Sequence, residues 1–154
     1  MAEQSMLKCV RQIGYAVRDV EAAVRAYQAL GGGDGEPQIF EVTLDEANGY
    51  RYRGEPASCT LKIGVIHAGG MDFEFIQCLK GRHPSGDYVA QHGEGLNHLG
   101  VYIDDLAAWK QKVQASGARI VIEGSFAVSA DRKGRYAYVE MAPGAYPQYE
   151  LLQL

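Results

Sequence analysis

Gly95-Leu96-Asn97-His98-Leu99-Gly100-Val101-Tyr102-Ile103-Asp104-Asp105-Leu106 reads as a short strand carrying a histidine, followed by the start of a helix. The chain contains this stretch twice. Gln12-Ile13-Gly14-Tyr15-Ala16-Val17-Arg18-Asp19-Val20 aligns with His98 to Leu106 without a gap, each residue lying 86 positions before its partner (12 and 98, 14 and 100). A second pair closes each half. Phe73-Glu74-Phe75-Ile76-Gln77 matches Tyr149-Glu150-Leu151-Leu152-Gln153, with Glu74 lying 76 positions before Glu150. Two halves that begin and end alike point to one unit duplicated.

Working outward, Lys8 to Val17 reads as a strand by its alternation, which puts Gln12, Gly14 and Ala16 on one face. Asp19 is placed to cap a helix from Val20 to Leu30, which the glycine cluster from Gly31 to Gly35 stops. Strands follow at Gln38–Leu44, at about Ala57–Ala68 and at Met71–Leu79, with Asn48-Gly49 and Gly69-Gly70 as turns. The second half repeats the order. It has a strand at Leu96–Ile103, a helix from Leu106 to Ser116 capped by Asp105 and ended by Gly117, and strands at Arg119–Glu123, Arg135–Met141 and Tyr149–Leu154. Asp131 to Gly134 reads as a turn.

The expected fold is therefore α+β: two tandem β-α-β-β-β units forming a curved mixed sheet around a central cleft. Residues 1–80 form the first module, 81–95 a linker with a helical turn around Asp87 to Gln91, and 96–154 the second module. A cleft enclosed by such a sheet is the natural ligand site.

The 154 residues suit one compact domain. A net charge of −4 argues against a general nucleic-acid or anionic-membrane binder. No apolar run approaches the roughly 20 residues that cross a bilayer. No signal peptide is visible, and three scattered cysteines without a C-x-x-C spacing read as reduced thiols. The expected location is the cytoplasm.

Four polar residues occupy repeat-equivalent places inside apolar strands: Gln12, Glu74, His98 and Glu150. A carboxylate in mid-strand is costly to bury unpaired. A divalent cation would neutralise both glutamates and satisfy the amide oxygen and the imidazole. One nitrogen and three oxygen donors suit a borderline or hard ion with open positions.

The two units, the Gln/His-apolar-Gly starts and the Glu-apolar-apolar-Gln ends resemble the vicinal oxygen chelate superfamily. It includes glyoxalase I, methylmalonyl-CoA epimerase, extradiol dioxygenases and bleomycin-resistance proteins. The resemblance implies metal ligands at Gln12, Glu74, His98 and Glu150, and a divalent ion of zinc, nickel, cobalt, manganese or iron. It also implies a homodimer and a small-molecule substrate such as an acyl-CoA, another thioester or a hydroxycarbonyl. The expected activity is that of a lyase or epimerase, with Glu150 first and Glu74 second as the groups that move a proton. A non-catalytic binding or resistance protein and an iron dioxygenase are the alternatives. Gln12 departs from the two-histidine, one-carboxylate pattern of the dioxygenases.

Four other features are noted. His67 could reach the cleft, whereas His83 and His92 read as solvated linker residues. Tyr15, Phe40, Tyr50, Tyr52, Tyr102, Tyr136 and Tyr138 could line an aromatic pocket. Lys80, Arg82, Arg132, Lys133 and Arg135 could steer an anionic substrate.

Overall fold

The structure is a computed structural model that describes residues 5–154. The first half contains β1 (Val10–Ala16), α1 (Val20–Ala29), β2 (Gln38–Leu44), β3 (Arg51–Tyr52), β4 (Glu55–Pro56), β5 (Cys59–Ala68) and β6 (Met71–Gly81). α2 (Pro84–His92) joins it to the second half. That half contains β7 (Gly95–Tyr102), α3 (Leu106–Ser116), β8 (Arg119–Ser129), β9 (Arg132–Glu140) and β10 (Gln148–Gln153). All ten strands form one curled mixed sheet in the order β2-β5-β6-β1-β7-β10-β9-β8-β3-β4. Among the described residues, no helix is long and apolar enough to cross a membrane.

The halves meet along β1 and β7, which pair antiparallel. Each of these strands also pairs in parallel with the last long strand of its own half, β1 with β6 and β7 with β10. This brings the start and end of both modules together at the middle of the sheet. The first half then reaches across: β3 pairs with Glu123 and Ile122 of β8. The cleft is thus bounded by strands of both halves.

Period-two alternation sorts the side chains. Phe75 and Leu151 face outward under helices, whereas Ile76 and Leu152 face the interior of the curl. Three apolar clusters result. One lies under α1 (Val17, Val20, Val24, Ile66, Phe75), one under α3, and the largest inside the curl. Burying Val20 and Val24 contributes about 1.5–3 kcal/mol each. Their close approach depends on Gly64, where an added Cβ would lie 2.8 Å from both valines.

The duplication extends to single hydrogen bonds. The Asp19 carboxylate accepts from the Ala22 amide at 2.9 Å, and Asp105 accepts from Ala108 at 3.1 Å. Gln77 Oε1 accepts from the first helical amide, Val20 N, and Gln153 Oε1 accepts from Leu106 N. The glutamine ending each Glu-apolar-apolar-Gln run therefore satisfies an amide that a helix start leaves without an internal partner.

Three local expectations need correction. The stretch 81–95 carries the nine-residue helix α2, with Pro84 in its first turn and His83 as its cap. β8 continues beyond Glu123 to Ser129 because Gly124 sits under the Tyr136 ring and does not break the strand. Arg132 to Gly134 belongs to β9: Gly134 pairs with Phe126 and leaves room for its ring.

Candidate functional site

The four repeat-equivalent residues converge inside the curl. Around His98 Nε2 lie Glu74 Oε2 at 3.2 Å, Gln12 Oε1 at 3.3 Å and Glu150 Oε2 at 3.3 Å. His98 is fully buried, and Glu150 is nearly so. Glu74, His98 and Glu150 offer ligand atoms all within 4.8 Å of one another, a group that could hold a metal ion.

Their positions follow from the seam. In the β1–β7 register, Gln12 stands opposite Gly100 and Gly14 opposite His98. A Cβ on Gly14 would lie 2.0 Å from His98 Cε1, and a Cβ on Gly100 would lie 2.5 Å from Gln12 Oε1. The glycine of each half makes room for the donor of the other. This accounts physically for a glycine two residues after each donor.

The surroundings fix the imidazole. Its Nδ1 donates to Asn97 Oδ1 at 3.2 Å, and Asn97 Nδ2 donates to the Pro84 carbonyl of α2. That leaves Nε2 facing the three oxygens. Burial disfavours the His98 charge, but hydrogen bonds with Glu150 and Glu74 outweigh it and lift the pKa to about 9. Burial pushes the Glu150 carboxyl up, against the pull of His98. The Tyr138 hydroxyl, kept protonated by burial and by both glutamates, donates to Glu150.

A divalent ion fits the donor set. One N–H cannot serve three acceptors well, and three oxygens around one nitrogen exceed what a proton satisfies. The separations of 3.2 and 3.3 Å also match the roughly 3.0–3.4 Å between neighbouring donors on an ion with bonds of about 2.1 Å.

The group forms the polar end of a cavity of about 280 Å³. Its walls are mainly apolar and aromatic, including Leu61, Ile63, Ile76, Phe126, Tyr136 and Leu152. Of the aromatic residues the sequence offered, Phe40, Tyr102, Tyr136 and Tyr138 line it, whereas Tyr15 stacks on Phe75 outside, Tyr50 donates to the Arg82 carbonyl and Tyr52 bonds Asp87. His67 does not join the site; it is exposed and pairs with Asp72 on the β5–β6 hairpin. Arg82 lies 4.0 Å over the Tyr52 ring, and Arg135 bonds Gln153, so neither reaches the cavity.

Sequence reasoning misses His83. It is 2% exposed and lines the cavity. Its Nδ1 accepts from the Ser85 amide at 3.1 Å, capping α2 and assigning the proton to Nε2. Burial, aided by nearby His98, depresses its pKa to about 3. The signal available in the sequence was His83-Pro84-Ser85, a cap followed by proline at the first helical position.

Comparison with known proteins fits this picture. No curated protein sequence matches the chain. Among solved structures, methylmalonyl-CoA epimerase from Mycobacterium tuberculosis aligns with a TM-score of 0.65 and 18% identity, over 99% of this chain and 92% of the other. A methylmalonyl-CoA epimerase in complex with methylmalonyl-CoA aligns at 0.60 and 19%, over 94% and 92%. A Streptomyces coelicolor methylmalonyl-CoA epimerase variant in complex with 2-nitronate-propionyl-CoA aligns at 0.59 and 18%, over 94% and 92%. At such identities the likeness speaks for the fold. The family model described as the glyoxalase/bleomycin resistance protein/dioxygenase superfamily matches residues 11–138, a span that takes in three of the four converging donors and most of the paired sheet. This duplicated, curled sheet with its donors at the seam therefore belongs to the glyoxalase/bleomycin resistance protein/dioxygenase superfamily, the vicinal oxygen chelate group.

Proposed function

We propose that the protein is a metal-dependent isomerase or lyase that transfers a proton at a carbon beside a carbonyl. The observation supporting this best is the crowd of three oxygen acceptors around His98 Nε2 at the polar end of an apolar cavity. Gln12, Glu74, His98 and Glu150 would hold the ion. When bound, a divalent cation supplies Lewis acidity that favours an enolate or enediolate over the parent carbonyl compound.

The chain's own groups do the rest. Glu150 is the first candidate to take and return the proton, because its carboxylate stands at the polar end of the cavity, 3.3 Å from His98 Nε2. Glu74, which approaches the same His98 nitrogen at 3.2 Å, is the second. Tyr138 orients Glu150 through its hydroxyl, and Asn97 holds the His98 ring. The apolar walls keep bulk water from the reacting carbon. The structural relatives are methylmalonyl-CoA epimerases by name, so thioesters and hydroxycarbonyls are the first compounds to screen.

The test combines metal analysis with solvent deuterium exchange. One divalent ion per chain is expected, and Glu150→Gln should slow exchange at least about 100-fold. A chain that takes up no divalent ion, or that keeps wild-type exchange in Glu150→Gln, would refute the proposal.

A further inference from the structure

Period-two alternation governs charge around the cavity as well as packing. In β5, Leu61 and Ile63 line the cavity while Lys62 points away and pairs with Glu21. In β9, Tyr136 and Tyr138 line it while Arg135 bonds Gln153. In β1, Gln12 points in and Arg11 bonds the backbone at Lys8 and Val10. The result, among the described residues, is a lining without lysine or arginine. Among the described residues, its charged side chains are the carboxylates of Glu74 and Glu150. A seated divalent ion would be matched by those two charges at the donor end, so an anionic group lying against the aliphatic wall, away from the donors, would have no cation beside it. His83 adds none, because its buried imidazole is neutral and its Nε2–H is a donor without charge.

We infer that the cavity takes an uncharged, mainly apolar carbonyl compound, and that an anionic acyl group is excluded from it. The inference rests on the reading that Gln12, Glu74, His98 and Glu150 mark the carbonyl end. An anion among Leu61, Ile63, Ile76 and Leu152 would be a buried charge with no cation to offset it. The volume of about 280 Å³ lies just below the roughly 300–1,000 Å³ of ligand pockets, and suits a compound the size of a substituted benzene. The body of such a compound would lie against Phe126, Tyr136 and the aliphatic wall. Its oxygen would point to the donor cluster, with the His83 imidazole as a second polar contact.

Acetophenone and benzoate are a matched pair, close in size and shape but different in charge. Binding of each, and of methylmalonyl-CoA, is measured by calorimetry on the full chain, metal-free and zinc-loaded. Methyl NMR of Leu61, Ile63 and Leu152 locates the ligand. Acetophenone is expected to shift these methyls and to bind at least ~10-fold tighter than benzoate. Methylmalonyl-CoA is expected to leave them unmoved. The inference is overturned if benzoate or methylmalonyl-CoA binds as tightly as acetophenone and shifts the same methyls, or if acetophenone shifts none of them.

Deuterium exchange at the acetophenone methyl separates this from the proposed function. Binding in the cavity without exchange leaves the substrate class standing and removes the proton-transfer reading. Exchange into methylmalonyl-CoA held against these methyls does the reverse.

Discussion

At the scale of single residues, the site depends on two absent side chains. Gly14→Ala would place a Cβ 2.0 Å from His98 Cε1, and the ring must move. Divalent-ion affinity is expected to fall about 10- to 100-fold, the size of effect that lost support of a ligand produces. Gly64→Ala is the comparison, because its Cβ would meet only Val20 and Val24. It should cost about 1–3 kcal/mol of stability and leave ion affinity unchanged. Calorimetric titration and urea unfolding of both variants distinguish the two effects. His83 gives a second residue-scale expectation. Its folded pKa of about 3 lies below the ordinary 6.5, so the unfolded chain binds the proton first as pH falls. Stability from this group is complete above about pH 6.5 and drains away toward pH 3. Between pH 7 and pH 5 the loss is about 2 kcal/mol. His83→Asn keeps an oxygen able to cap α2 and removes the titration. Urea unfolding at the two pH values should show that extra loss in the wild type alone.

At the scale of elements, the two halves make matched use of aspartate. Asp19→Ala and Asp105→Ala should each cost about 1 kcal/mol, read from thermal or urea unfolding. The two share no partner, so the costs should add in the double variant. A markedly larger loss at one end would show that the halves are not equivalent in this respect. Helix limits were legible because their signals are local: Asp19, Asp105 and Gly117 act within one turn. β2 was equally readable from its own alternation. The strap of β3 and β4 was not, because two-residue strands have no period and their partner, β8, lies some 70 residues ahead in the chain (52 and 122). Gly124 and Gly134 misled for a similar reason. Each lies under an aromatic ring of the opposite strand, a need that only the folded pairing reveals.

For the molecule as a whole, the β1–β7 seam and the strap tie the halves together. Unfolding should be one cooperative transition, with near- and far-ultraviolet circular dichroism coinciding. Two separated transitions would mean that each half holds its own structure. The duplicated architecture and the four donors were legible because repetition marks equivalent places without knowledge of their neighbours. Gln12, Glu74, His98 and Glu150 could be picked out by offset alone. The rest of the cavity was not legible in that way. His83 enters it through α2, and Asn97 of β7 ties α2 to the His98 ring, a tertiary arrangement with no echo in the first half.

The reciprocal glycines also restrict motion. A β-strand can slide against its neighbour only in steps of two if it is to keep the same side chains on the same face. A step of that size would bring the Cβ of Gln12 or Ala16 beneath the imidazole, where only Gly14 leaves space. Gly100 blocks the same slip for the amide. The joint is keyed, like a shaft locked to its wheel, and the key is cut from the His98 ring and the Gln12 amide. Shear between the halves would have to dismantle the polar cluster first, so the register that gathers those four side chains also resists mechanical slip.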